Sequence, residues 1–282
     1  MLCITFDNFG CGADYGFGQG KLPPCKFPEL VPASEWDSYN EIGLTLGQPR
    51  ILGLLQQLGI KTTFFAEGFS AVLHPIEMKR WADDGHEIAM HGWKHEMWAN
   101  LKSREQEERL VSLSVAAMTE LLGAGPVGIR PPGFKINPWT DEVLSQHGIE
   151  YVSTVATREA GFAERLAKIG VTYAQDNKQV VTSHLKILPC QDDLTDAGAI
   201  GPAYGGLGLY GYEIDADTAY ERFYQSAVAH ERSAPQEPWV FTAHPFVSGN
   251  RAWAAFAKFL NRLHAEFGTE RFKTGREIAL GR

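Results

Sequence analysis

Residues 85 to 96, Gly85-His86-Glu87-Ile88-Ala89-Met90-His91-Gly92-Trp93-Lys94-His95-Glu96, decide how this chain is read. EIAM, fenced by Gly85 and Gly92, has the length and apolar content of a buried strand that runs into a loop. His91 and His95 sit four residues apart at that exit. In a helical turn, residues so spaced share one face with Cβ atoms about 6 Å apart, and their imidazoles can close on one metal ion. No glutamate follows His91, so the pair is not the HExxH of zinc proteases. His86, two positions before Ile88, is expected to face the core or a neighbouring loop. A lone HxxxH recurs by chance; its weight here comes from its place at a strand end.

Outward from this stretch, strand and helix patterns alternate. LCITFD (2–7) reads as a buried strand, GQPRILGLLQQLG (47–59) as a helix with Pro49 in its first turn and Gly59 as its stop, and IKTTFFAEG (60–68) as a second strand. HPIEMKRWADDGH (74–86) reads as a helix, and 101–123 as a long charged amphipathic one. VGIRPPGF (127–134) is a strand end, PWTDEVLSQHG (138–148) a helix and EYVSTVA (150–156) a strand. VVTSHLKILPC (180–190) and PWVFTAHPF (238–246) complete the strands, and a helix closes at about 251–267. Repeated strand-loop-helix units imply a parallel sheet, and their number predicts a distorted (β/α) barrel of about seven parallel strands within one domain, 1–282. Function in such folds collects at the carboxyl ends of strands. Two Gly- and aromatic-rich insertions, 9–46 and 191–212, interrupt the rhythm; GLGLYG in the second lacks the lysine of a phosphate loop and the strand-to-helix setting of a dinucleotide fingerprint.

Bulk properties narrow the function. A hydrophobic share of 44% with 21% charged residues is that of a globular chain with a packed core. A net charge of −8 offers no attraction to phosphate backbones, so nucleic acid is not an expected partner. No apolar run approaches the roughly 20 residues of a membrane span, and no basic leader with a cleavage site precedes the first strand, so a cytoplasmic location is expected. The four cysteines, Cys3, Cys11, Cys25 and Cys190, form no CxxC pair and are read as free thiols, although Cys11 and Cys25 bracket the first insertion. A homo-oligomer is left open.

The other strand ends carry further reactive groups. Asp7 ends the first strand in TFDN, Arg130 opens RPPGF, and His244 ends VFTAH. Singly, each has an ordinary explanation: turn chemistry, an ion-pair partner, a core histidine. Together, an acid, three histidines and an arginine at four strand ends form a constellation suited to metal-assisted hydrolysis.

This ordered set resembles the polysaccharide deacetylase family, the NodB-homology group of carbohydrate esterases (carbohydrate esterase family 4). The residues that carry the resemblance are TFDN (5–8), HGWKH (91–95), RPPGF (130–134) and FTAH (241–244), in family order from Thr5 to His244. The GHE before the histidines and the aromatic Trp93 are similar to the branch of peptidoglycan-deacetylase-like and allantoinase-like enzymes. The resemblance implies a distorted (β/α) barrel that removes acyl groups with a divalent ion, most simply zinc. It implies Asp7 as general base, His91 and His95 as metal ligands, Arg130 as the group that holds Asp7 ionised, and His244 as general acid. The backbone N–H near Gly133 would assist the oxyanion, and Trp93 and Tyr15 would line the substrate pocket, with Trp36, Tyr39, Phe17, Trp98 and Trp139 as further aromatic candidates.

Two departures stand out. Asn8 occupies the position of a metal-binding aspartate; it ligates through its neutral amide, or an acid such as Asp14 replaces it, or no metal binds. The family's Asp/Trp motif has no counterpart in EYVSTVA. The function implied is hydrolysis of a carbon–nitrogen bond, as an N-deacetylase or deformylase of an amino sugar or related small molecule. The alternatives are opening of a cyclic amide or ureide, and a catalytically weakened barrel that only binds.

Overall fold

The computed structural model describes residues 1–7, 43–96, 98, 101–134, 137–155, 184–191, 193–201 and 214–282. Seven parallel strands, β1 (Leu2–Asp7), β2 (Thr63–Ala66), β3 (Glu87–Met90), β4 (Gly128–Ile129), β5 (Tyr151–Val155), β6 (Lys186–Cys190) and β7 (Trp239–Ala243), form one sheet in the order β6-β5-β4-β3-β2-β1-β7. The sheet curls until its two ends almost meet. There Thr195 bridges Thr242, whose N–H donates to the Leu194 carbonyl at 2.9 Å. This is the distorted (β/α) barrel the alternation predicts.

Among the described residues the helices are α1 (Gln48–Leu58), α2 (Ser70–Leu73), α3 (Pro75–Asp83), α4 (Arg104–Leu122), α5 (Thr140–Gln146), α6 (Asp196–Ala199), α7 (Ala216–Ser233), α8 (Trp253–Phe267) and α9 (Gly275–Leu280). Their ends follow local chemistry. Pro49 stands in the first turn of α1, where no intrahelical N–H is needed, and Gly59 ends it at φ 66°. The Ser103 hydroxyl accepts the Gln106 N–H at the start of α4, and Gly123 ends it at φ 77°.

Period-two alternation sorts β1 into two faces. Leu2, Ile4 and Phe6 pack outward into the layer shared with the helices, where Phe6 meets Phe64 and Phe256. Cys3 faces the barrel interior with Phe65, Ala89, Tyr151, Leu188, Cys190 and Val240. Both faces are buried, as a parallel sheet covered by helices requires. Every second residue thus climbs the lumen, Cys3 to Thr5 to Asp7, and Asp7 arrives at the carboxyl rim.

Several expectations need correction. The strand read over 127–134 pairs only at Gly128–Ile129, because Pro131 and Pro132 have no N–H for a ladder. A Cβ on Gly128 would lie 2.0 Å from Tyr151 Cζ, so the lumen beneath Arg130 is closed by the tyrosine ring. The strand expected at 180–190 runs over 186–190, with 180–183 outside the described residues. HGWKH is a turn rather than a helical turn: Gly92 has φ 75° and His95 φ 62°. Helices α7 and α9 were not read from the sequence. Of the insertion 9–46, residues 43–46 open a helical turn (43–47), and the rest lies outside the described residues. No described helix is long and apolar enough to cross a membrane.

Candidate active site

Arg130 is the keystone of the rim. Its guanidinium is fully buried, and Nη1 donates to Asp7 Oδ1 at 2.5 Å and to Thr5 Oγ1 at 2.8 Å. Nε and Nη2 donate to Ser153 Oγ at 3.1 and 3.0 Å. The plane lies over the Phe65 ring, 4.2 Å from its centroid. Burial is the largest influence on the guanidinium and works against the charged form, but Asp7 together with Cys190 and Cys3 works the other way and the net shift is upward. Arg130 and Asp7 stand at separate strand ends, and the barrel curvature brings together the two residues that the family resemblance pairs.

His91 follows β3, and its N–H continues the ladder to the Ala66 carbonyl at 2.8 Å. Its Nδ1 lies 2.6 Å from the Arg130 carbonyl oxygen, which only accepts, so Nδ1 carries the proton. The lone pair is therefore on Nε2, 4.0 Å from Asp7 Oδ2. Burial pushes the His91 pKa down to about 3, with Arg130 and His244 adding to the shift and the carbonyl hydrogen bond opposing it. His95 lies alongside, ring centroids 4.9 Å apart, and burial first, then the neighbouring His91, holds it well below the usual histidine range. Glu96 shapes this turn by accepting the Trp93 N–H at 3.1 Å and the Lys94 N–H at 2.9 Å on one oxygen.

His244 follows β7, the neighbour of β1. Its Nδ1–H donates to Asp196 Oδ1 at 2.6 Å, and its backbone N–H donates to Asp196 Oδ2 at 2.8 Å. Burial works against the imidazolium, but Asp196, by charge and by hydrogen bond, and Asp7 more weakly, raise the pKa above the ordinary value. Asp196 is fully buried and also accepts from the Ser248 hydroxyl, which is shared with Tyr220 OH at 2.6 Å. This acid is the residue that sequence reasoning missed. It lies in LTDAGA, inside the segment read as an insertion, and the available signal was Thr-Asp followed by three small residues just past a strand.

Gly133 sits at φ 72° in the single helical turn Pro132–Phe134, three residues past Arg130. Phe134, at φ 57°, is pinned through its carbonyl by the Thr154 hydroxyl at 2.9 Å. Trp93 is half-buried, edge-on to Phe69 with centroids 5.3 Å apart. Trp98 is fully buried core rather than pocket wall, and the half-buried Trp139 donates its indole N–H to Glu107. Asn8, Asp14, Tyr15, Phe17, Trp36 and Tyr39 lie outside the described residues.

Among the described residues no three His, Cys, Asp or Glu side chains are arranged as a metal site. The two histidines nevertheless have the character of ligands. Both are kept neutral by burial, and His91 has its outer nitrogen fixed on a backbone carbonyl, the usual device for aiming the other lone pair. They fit a divalent ion as two of its donors.

Residues 38–152 match the family model for polysaccharide deacetylase. Within the chain, 106 residues are 32% identical to a peptidoglycan deacetylase of Helicobacter pylori, covering 38% of this chain and 36% of that protein. Over 123 residues the chain is 34% identical to a peptidoglycan-N-acetylglucosamine deacetylase of Bacillus cereus, covering 40% of this chain and 44% of that protein. The aligned part is thus between about a third and a half of these relatives' length. A Mycobacterium smegmatis structure assigned to the polysaccharide deacetylases superposes with a TM-score of 0.66 at 26% identity, covering 95% of this chain and 84% of that one. A PuuE allantoinase shares the fold, with a TM-score of 0.71 at 18% identity, covering 99% and 89%. A parallel barrel of seven strands with these four rim motifs defines a NodB-type domain. The match to the polysaccharide deacetylase family model extends over residues 38–152, and the likeness in fold to a structure assigned to that family extends over nearly the whole chain.

Proposed function

We propose that this chain is a hydrolase of carbon–nitrogen bonds other than peptide bonds, most simply an N-deacetylase or deformylase of an amino sugar or a related small molecule. One observation carries the reading: on the neighbouring strands β1 and β7, Asp7 is ion-paired with Arg130 at 2.5 Å, while His244 is paired at 2.6 Å with Asp196, which raises its pKa. A carboxylate beside a fixed cation and an imidazole beside a buried carboxylate are suited to serve as a base and an acid.

In this reading Asp7 takes a proton from the attacking water, and Thr5 and Arg130 fix the carboxylate that receives it. His244 gives its proton to the departing nitrogen; Asp196 on Nδ1 sets the tautomer and leaves Nε2 to act. The N–H near Gly133 stabilises the oxyanion. His91 and His95, with Asn8 as the expected third donor, hold a divalent ion, with zinc preferred by the two imidazoles. When bound, such an ion supplies Lewis acidity, making water a stronger acid and drawing charge from the acyl oxygen. Trp93 and Tyr15 are assigned to the substrate side, where aromatic faces stack on sugar rings.

The test is a screen of purified protein, with and without added zinc, against N-acetyl sugars, N-formyl sugars and cyclic amides. Loss of an acyl group by mass spectrometry supports the reading. A gain of one water without fragmentation replaces it with ring opening, and no turnover of any class, with less than a tenth of a metal per chain after zinc loading, refutes it.

A further inference from the structure

Helix α4 buries a carboxylate that takes no part in the chemistry above. Glu107 is fully buried and occupies a core position of the helix, one turn before Val111 and two before Ser114. A core glutamate is costly unless its oxygens are used. Its Oε2 accepts from Asn137 Nδ2 at 2.8 Å and from Trp139 Nε1 at 2.9 Å, and Thr140 is a further hydrogen-bond partner. The same Asn137 Nδ2 reaches the Trp98 carbonyl at 3.2 Å. Trp98 is three residues past His95, and Asn137 is three past Phe134.

Glu107 and Asn137 therefore fasten together the two rim loops that leave adjacent strands β3 and β4: one carries His91 and His95, the other Arg130 and Gly133. The same face of α4 braces the histidine loop higher up, where Ser114 Oγ donates to the Gly92 carbonyl at 3.1 Å, and packs on the turn after β2, where a Cβ on Gly68 would lie 2.5 Å from Ser114 Cα. An apolar residue at position 107 would fill the space but take away the oxygen to which the Trp139 indole N–H and the Asn137 amide donate, leaving Asn137 only the Trp98 carbonyl.

We propose that Glu107 is a positioning residue: through Asn137 it fixes the spacing between the histidine loop and the arginine–glycine loop. It rests on the proposed hydrolytic function but is read from different contacts. A clamp of this kind affects how well two loops face one ligand, not how the barrel core coheres.

The experiment compares four variants with wild type for zinc affinity, kcat and KM on the substrate found above, and thermal midpoint. Glu107→Gln keeps an oxygen acceptor and is expected to stay within about threefold of wild type in every reading. Glu107→Leu should lose at least tenfold in zinc affinity and in kcat, with KM changed less. Asn137→Ala, a smaller truncation on a loop that leaves the helix and its carboxylate in place, should reproduce that loss with a smaller change in midpoint. Val111→Ala, which opens a cavity on the same helix face without removing a hydrogen bond to either loop, should lower the midpoint while leaving zinc affinity and kcat within twofold. If Glu107→Leu does not fold, Asn137→Ala decides alone. Wild-type zinc affinity and turnover in Asn137→Ala, or losses in Val111→Ala equal to those in Glu107→Leu, overturn the clamp. Wild type that neither binds zinc nor hydrolyses any substrate defeats the functional reading instead, a result the four variants do not mimic.

Discussion

Replacing Asp196 by asparagine isolates the acid half of the proposed chemistry. The side chain keeps its shape, so the His244 backbone N–H and the Ser248 hydroxyl retain an oxygen acceptor, but the charge opposite Nδ1 is gone. A hydrogen bond to a charged partner contributes about 1.5–3 kcal/mol, and about 1.4 kcal/mol is a factor of ten. At any pH on the alkaline side of the His244 titration, the imidazolium population should therefore fall about tenfold to a hundredfold. The sign is fixed by the upward shift that Asp196 causes: removing it moves the alkaline limb of kcat to lower pH. The assay is acetate or formate release from pH 5 to 10, fitted for kcat and kcat/KM. A thermal series gives an independent check. A histidine whose folded-state pKa is raised stabilises the fold fully below its unfolded pKa of about 6.5, and loses that contribution as pH rises through the folded value. The midpoint deficit of Asp196→Asn should accordingly be larger at pH 5.5 than on the alkaline side. An alkaline limb that coincides with wild type would show that Asp196 does not govern His244 and that the acid has been misassigned.

Asp7→Asn should cut turnover by several orders of magnitude while metal content by elemental analysis stays near normal. It should also destabilise the fold by about 3–5 kcal/mol in urea titrations, because Arg130 is left as a buried charge without its counter-ion. His91→Ala should lose both metal and turnover; retention of a full equivalent of zinc would remove His91 from the ligand set. Because burial keeps His91 neutral down to about pH 3 and His95 well below the usual range, zinc affinity should change little between pH 7.5 and about 6, where free imidazoles begin to protonate. A steep loss over that interval in a competition titration would contradict the burial argument. Gly249→Ala would bring a Cβ to 2.2 Å from Gly47 Cα and push apart the two backbones beneath the His244 loop. Overpacking of this kind costs about 1–3 kcal/mol, read as a lower thermal midpoint, and an unchanged midpoint would show that the turn yields freely.

Much of the barrel was legible because its signals are local. β1, β2, β3 and β7 are apolar runs that end in polar or turn residues, and α1 and α4 have proline, serine and glycine at the expected ends. Helix α7 was passed over although Asp215 caps it through the Thr218 N–H, because it follows a Gly-rich stretch that drew attention to loops. β4 was overextended because IRPP continues the apolar pattern of VGI, while the two prolines remove the donors that pairing needs. In the site, Asp7, His91, Arg130 and His244 were each visible at a strand end. Asp196 was not, since nothing in LTDAGA announces that the chain folds back across the seam of the barrel to meet His244. Contacts of that kind depend on where the ring closes, which no local pattern encodes.

The strand order has a consequence for the way the protein comes into being. Strand β1 lies between β2 and β7, with Leu2 opposite Trp239 and Phe6 opposite Ala243, so the strand that carries Asp7 is completed by a partner more than 230 residues away. Pairing across such a loop is disfavoured entropically and slows the search for the native arrangement. During synthesis one edge of β1 waits for β7, and Asp7 and His244 become neighbours only as that late strand docks. Catalytic competence should therefore be among the last properties a newly made chain acquires, after most of the ring is in place.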